Sequence, residues 1–223
     1  MVSNRHPFVA REGWVFLAGA LLLAALGMVG LGLVAALPLL ALVLFLAFLY
    51  RDPARKIPAV PLGVVCPADG WVDDIQQTQD PFNERPCHRL TIRMRPFGVY
   101  SLRGPIEGKI IKLWSPEADT PAAERRYALW LQTDEGDDIV WAIRSGHVKA
   151  KPHCYVQPGE RIGQGQRCGF LFLGGTVEVY LPINSRLQVA VGDRLVAGES
   201  ILATLVHQHT VVVPPFEGDV ATR

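Results

Sequence analysis

Few residues of this 223-residue chain are of a type and in a place to do chemistry. The turn Leu173-Gly174-Gly175-Thr176, inside the run CGFLFLGGTVEVYLP, carries one hydroxyl, on Thr176, beside a Gly175 that has no side chain at all. Asp69 sits in Pro67-Ala68-Asp69-Gly70, where it is either a working acid or the residue that caps a bend. Tyr100 offers a phenol, a poor base near neutral pH, where an imidazole would titrate. Arg103 could grip a phosphate or carboxylate through a bidentate contact. His147 follows Ser145-Gly146 and reads as an ordinary surface or core histidine. Cys66, Cys87, Cys154 and Cys168 form no Cys-x-x-Cys pair and no His/Cys group at metal spacing, so no metal site is expected. Scattered thiols of this kind suit a reducing compartment and fill cores as small apolar residues.

The elements that must hold these residues are short. From Arg51 onward, alternating apolar segments are cut by Pro, Gly, Asp and Asn, and the pattern predicts strands at 70–75, 89–93, 108–114, 128–133, 138–145, 147–149, 176–181, 187–189 and 200–206. With no long amphipathic helix between them, these imply a mainly β domain, a compact β sandwich or barrel-like unit, over 51–206. Two segments, 156–165 and 189–198, share the order apolar, Gly-acid-Arg turn, apolar, Gly, and each reads as a tight turn between strands. The second also resembles half of a biotinyl or lipoyl carrier domain, but no Lys stands on a hairpin tip. The tail, 207–223, contains Pro214-Pro215 and has no period, which suggests an extended arm.

Ahead of that domain, Gly13 to Tyr50 contains no Asp, Glu, Lys, Arg or His and is dense in Leu, Ala, Val and Phe. One helix needs about 20 residues to cross a bilayer, and this stretch is nearly twice as long, with Gly27, Gly30, Gly32 and Pro38 near its middle. The expectation is a transmembrane helical hairpin over 14–50 after a cytoplasmic segment, 1–13. Arg5 and Arg11 precede the stretch and Arg51, Arg55 and Lys56 come after it, so the positive-inside rule puts both ends, and the β domain, in the cytoplasm, at the inner membrane in a bacterium. A cleaved signal peptide and a single long tilted helix are the competing readings. The net charge of +1 gives no global reason to expect nucleic acid.

Five fragments in order resemble the short, membrane-anchored type of phosphatidylserine decarboxylase proenzyme: Arg11-Glu12-Gly13; Tyr50-Arg51-Asp52-Pro53-Ala54-Arg55; Cys66-Pro67-Ala68-Asp69-Gly70; the segment from Met94 to Gly108; and Leu173-Gly174-Gly175-Thr176. The resemblance implies a self-processing chemistry. A Ser of the family motif attacks the preceding Gly carbonyl, and the cut chain keeps a pyruvoyl group that decarboxylates phosphatidylserine. By the same resemblance the family-equivalent site positions are Asp69, Tyr100, Gly174, Gly175 and Thr176, with Arg103 for the substrate's charged head. Gly175 stands where the Ser would be, and Tyr100 where a His would be.

With no oxygen at 175 to attack Gly174, no pyruvoyl cofactor is expected. The favoured function is then a family member without self-cleavage that binds a phospholipid headgroup, phosphatidylserine or another anionic lipid, or regulates, alone, as a homo-oligomer or with a paralogue. The alternatives are an active decarboxylase maturing at Thr176, and a non-catalytic membrane scaffold. The Thr176 route would move the reactive group by one strand residue and so to the other face. Arg51, Arg55, Lys56 and Arg103 are the cations expected near the headgroup.

Overall fold

The computed structural model describes residues 8–116, 120, 125–146 and 151–206; the strand expected at 147–149, His147 itself and the tail 207–223 lie outside the described residues. The alternating segments pair into a sheet of eight antiparallel strands. In spatial order these are β13 (Arg194–Leu195), β2 (Gly70–Gln79), β3 (Pro86–Met94), β11 (Gly175–Pro182), β7 (Asp138–Ser145), β6 (Tyr127–Gln132), β5 (Gly108–Trp114) and β9 (Arg161–Ile162). Two smaller antiparallel sheets of three strands accompany it: β1 (Gly63–Val65), β14 (Ile201–Thr204) and β12 (Arg186–Leu187), and β4 (Ser101–Arg103), β10 (Arg167–Phe170) and β8 (His153–Cys154). Among the described residues the large sheet does not close into a barrel. Its inner face, including Leu90, Ile92, Trp141, Ile143, Val177 and Val179, shares one core with Val64, Leu102, Phe170 and Leu202 of the small sheets. The fold is therefore mainly β and sandwich-like, driven by apolar area removed from water on that face.

The two similar turn segments occupy equivalent places. Each ends in a two-residue strand, β9 or β13, that closes one edge of the large sheet, and Gly159 and Gly192 enter their turns at φ of 93° and 94°. The strands expected at 108–114 and 138–145 are found with those bounds, while β2 and β3 extend beyond the expected 70–75 and 89–93. Apart from β12, which the expected 187–189 overlaps, the two- and three-residue strands were not expected, because alternation needs about four residues to register.

Residues 14–49 fold as two helices, α1 (Trp14–Leu31) and α2 (Leu33–Leu49), separated by Gly32 at φ 83°, a left-handed conformation that favours glycine. Pro38 lies inside α2 and not at the bend. The helices run back to a common base: the Ala10 N–H donates to the Tyr50 carbonyl at 2.7 Å, and Val9 pairs with Arg51. Gly13 is required here, since a Cβ would lie 2.5 Å from Tyr50 Cγ. By length and composition α1 can cross a membrane; the apolar part of α2, Ala36–Leu49, is shorter.

The hairpin base is locked to the β domain by buried charge. Asp52, 1% exposed, accepts hydrogen bonds through Oδ1 from Ser101 Oγ at 2.8 Å and from Arg103 Nη2 at 3.0 Å, and its Oδ2 lies 3.2 Å from Arg167 Nε. Arg167 also donates to Glu12 at 2.9 Å, just before α1. Burial lowers the Arg103 pKa, a pull that Asp52 opposes. Removing one partner of such a cluster strands the remaining charges in low dielectric, at a cost of about 3–5 kcal/mol. Asp52→Ala is therefore expected to lower the Tm of the detergent-solubilised protein by roughly 6–20 °C, whereas Asp134→Ala, which breaks the exposed pair with Arg161, should leave it nearly unchanged; equal Tm values for the two variants would contradict the clamp.

Candidate active site

Two tight turns and parts of four strands, β2, β3, β7 and β11, line a groove of about 550 Å³. One turn is Arg95–Gly98, closed by the Gly98 N–H on the Arg95 carbonyl at 3.1 Å; the other is Leu171–Gly174, closed by the Gly174 N–H on the Leu171 carbonyl at 3.0 Å. Each places a large apolar residue, Phe97 or Leu173, at its third position with φ 57°. The turns sit side by side because β4 and β10 extend into them: the Leu171 N–H donates to the Tyr100 carbonyl at 2.9 Å.

Tyr100, Gly175 and Thr176 line this groove, and Gly174 adjoins it. Gly174, at φ 69°, presents its carbonyl to the Gly146 N–H at 3.2 Å. Gly175 pairs with Ser145 where β11 starts beside the end of β7. That approach is so close that a Cβ built on Gly175 would fall onto the Arg144 carbonyl oxygen, well inside van der Waals contact, and would also lie 2.9 Å from the Gly146 nitrogen and 3.1 Å from Leu171 Cδ2. Residue 175 thus lacks both a hydroxyl and the space for a side chain.

Tyr100 is 1% exposed, and its phenol oxygen accepts the Phe97 N–H at 3.0 Å. Burial pushes its pKa above the ordinary phenol value, more than the Phe97 bond and nearby Arg51 pull it down. A phenol so placed holds the turn and, with its ionised form disfavoured by burial, is even less available as a base near neutral pH.

The remaining expected residues lie elsewhere. The Asp69 carboxylate accepts Arg55 Nη2 at 2.8 and 3.0 Å and the Ala197 N–H at 2.7 Å, so it joins the segment after α2 to the loop before β14. Arg103, expected at a substrate's charged head, is 1% exposed and engaged by Asp52 and the Gly165 carbonyl. Arg51 likewise donates to the carbonyls of Phe48 and Phe97, and Arg55 is taken by Asp69, so three of the four cations expected near a headgroup are occupied within the protein.

The groove supplies other cations in their place. Thr176 pairs with Arg93 of β3 on one side and with Arg144 of β7 on the other, which sets a guanidinium, a hydroxyl and a second guanidinium in one row on the outer face of the sheet. Arg93 is also paired with Asp73 at 2.7 Å, and Arg144 reaches the buried Glu178 only at 3.7 Å. Thr91 adjoins this row in the groove. Sequence reading missed Arg93 and Arg144 because each looks like a solvated strand residue until register is known. The available signal was the alternation itself, which puts 93, 144 and 176 on the outer face once β3, β7 and β11 are neighbours. No group of three or more His, Cys, Asp or Glu suited to a metal occurs among the described residues.

Comparison with known proteins places the sequence in a family. The sequence model described as phosphatidylserine decarboxylase matches residues 42–203. The phosphatidylserine decarboxylase proenzyme of Nitrosomonas europaea is 38% identical over 206 residues, covering 89% of this chain and 95% of that protein. The proenzyme of the same description from Burkholderia ambifaria is 39% identical over 208 residues, covering 90% of this chain and 97% of its own length. No solved structure matches. The match spans both turns of the groove, the Asp69 bend and the strands between them, and the chain belongs to the phosphatidylserine decarboxylase family.

Proposed function

We propose that this chain is a membrane-anchored member of its family that stays uncut, forms no pyruvoyl group and holds the headgroup of an anionic phospholipid in the groove beside Gly175. The observation that carries the reading is the Arg144 carbonyl oxygen, which occupies the place a side chain at 175 would need. A pyruvoyl group does not fit these residues: its methyl carbon would have to come from a Cβ that Gly175 lacks, and the buried, hydrogen-bonded Tyr100 is no base to assist. The row Arg93, Thr176 and Arg144 suits a phosphate or a carboxylate, both of which phosphatidylserine carries. The membrane reading is supported by α1 and α2, whose large apolar side chains are mostly exposed, and by the common base that puts both hairpin ends on one side.

Restoring the family residue should not restore processing. Gly175→Ala alone is expected to lower Tm, because a Cβ overpacks a backbone contact at a cost of about 1–3 kcal/mol. Gly175→Ser, with or without Tyr100→His, should remain a single chain on denaturing gels over days. Efficient cutting of the double variant would mean that the strands open freely at this point and that the closed geometry is not what silences the site.

Headgroup binding is tested by titrating glycerophosphoserine and inorganic phosphate into the detergent-solubilised full chain. Arg93→Gln and Arg144→Gln should each weaken binding by roughly tenfold or more, the loss of one charged hydrogen bond, while Arg161→Gln at the far edge of the sheet leaves it unchanged. Unaltered affinity in both groove variants, or release of CO₂ from phosphatidylserine by the purified protein, would refute the reading.

A further inference from the structure

The two turns that frame the groove share an unusual choice of residue. The third position of a turn with φ near +57° favours Gly or Asn, and a bulky side chain there is strained. Phe97 and Leu173 both occupy such positions, and both are exposed, at 57% and 37%. Leu62 has the same backbone conformation, but its side chain packs against the core, which accounts for its presence. No such core contact rewards Phe97 or Leu173 among the described residues, so each combines backbone strain with apolar area left in water.

Their position supplies a partner. Arg51, at the exit of α2, donates Nη1 to the Phe48 carbonyl at 2.7 Å and Nη2 to the Phe97 carbonyl at 2.8 Å, tying the last turn of the helix to the Phe97 turn. Its guanidinium also lies 4.0 Å from the centre of the Phe48 ring. Tyr50 stacks on Phe172, the neighbour of Leu173, with ring centres 5.6 Å apart, and on Phe16 of the first turn of α1 at 5.8 Å. Both apolar tips therefore stand at the base of the hairpin, level with exposed Phe8, Trp14 and Phe48, an aromatic set of the kind found at bilayer interfaces.

We infer that Phe97 and Leu173 insert into the interfacial layer of the membrane that the hairpin spans, so that the groove between them opens onto the headgroups and its occupant enters sideways from the bilayer. The partner is the lipid surface itself. Apolar tips in the acyl boundary recover the area they expose, and Arg93 and Arg144 then stand behind them at headgroup depth. This inference rests on the membrane reading of the hairpin proposed above and adds to it a depth and an orientation for the β domain.

The test is depth-dependent quenching on the full chain in liposomes. In a Cys154→Ser background, where the other three cysteines are buried, single cysteines replace Phe97, Leu173, Leu22 or Asn184 and carry an environment-sensitive fluorophore. Leu22 lies mid-way along α1, and Asn184 lies beyond the far end of β11, about 25 Å from Gly175 along the strand. Lipids brominated near the top of the acyl chain should quench the labels at 97 and 173 at least threefold more than the label at 184, with bulk-like quenching at 184. If 97 and 173 match 184 while 22 responds to lipids brominated mid-chain, the insertion is refuted and the hairpin reading stands. If 22 is also silent, the hairpin reading falls and takes this inference with it. The two tips report separately, so a variant that fails to fold at one position leaves the other to decide.

Discussion

The buried carboxylate of Asp52 is the constraint on which the rest of the architecture depends. It pairs with Arg103 on β4 and Arg167 on β10, and Arg167 in turn holds Glu12 at the entry to α1. A cluster of this kind adds little net stability compared with apolar packing, yet it tolerates few alternative arrangements, because any displacement leaves a charge unpaired. The strands it fixes are the two whose continuations form the groove: Tyr100 precedes β4 and holds the Phe97 turn, and Leu171 comes directly after β10 and starts the turn to Gly174. Hairpin orientation and groove geometry are thereby set by one set of ion pairs.

Within that frame, residue 175 has been resolved in favour of backbone packing. A glycine lets β11 begin hard against the end of β7, with the Gly174 carbonyl on the Gly146 N–H and the Arg144 carbonyl filling the space above the α-carbon. The polar character of the site survives in the adjacent row, where Thr176 stands between two arginines on the outer face. Residues 175 and 176 line one groove but alternate along the strand, so the packed backbone beside Gly175 and the row at Thr176 occupy neighbouring parts of it.

Much of this was legible in the sequence, and the parts that were not share a cause. The longer strands announced themselves by alternation, the helix break by glycine, and family membership by five ordered fragments. Arg11-Glu12-Gly13 and Arg51-Asp52-Pro53 gave no hint of their purpose, because the clamp they form depends on Arg103 and Arg167, which are distant in the chain. Arg103 looked free for a ligand for the same reason: a one-dimensional pattern does not say which cation a buried acid has claimed. Conversely, Arg93 and Arg144 became visible only through the register that flanks Thr176, and the closure over Gly175 only through a backbone oxygen that no residue type encodes.

The central claim, that the chain remains whole because residue 175 can neither attack nor accommodate a side chain, is tested most directly by intact-mass measurement of the purified protein after incubation with an amine and cyanoborohydride. The account predicts one species near 24.5 kDa with no amine adduct. Two chains divided at Gly174, Gly175 or Thr176, one of them carrying a trapped carbonyl at its new N-terminus, would contradict it.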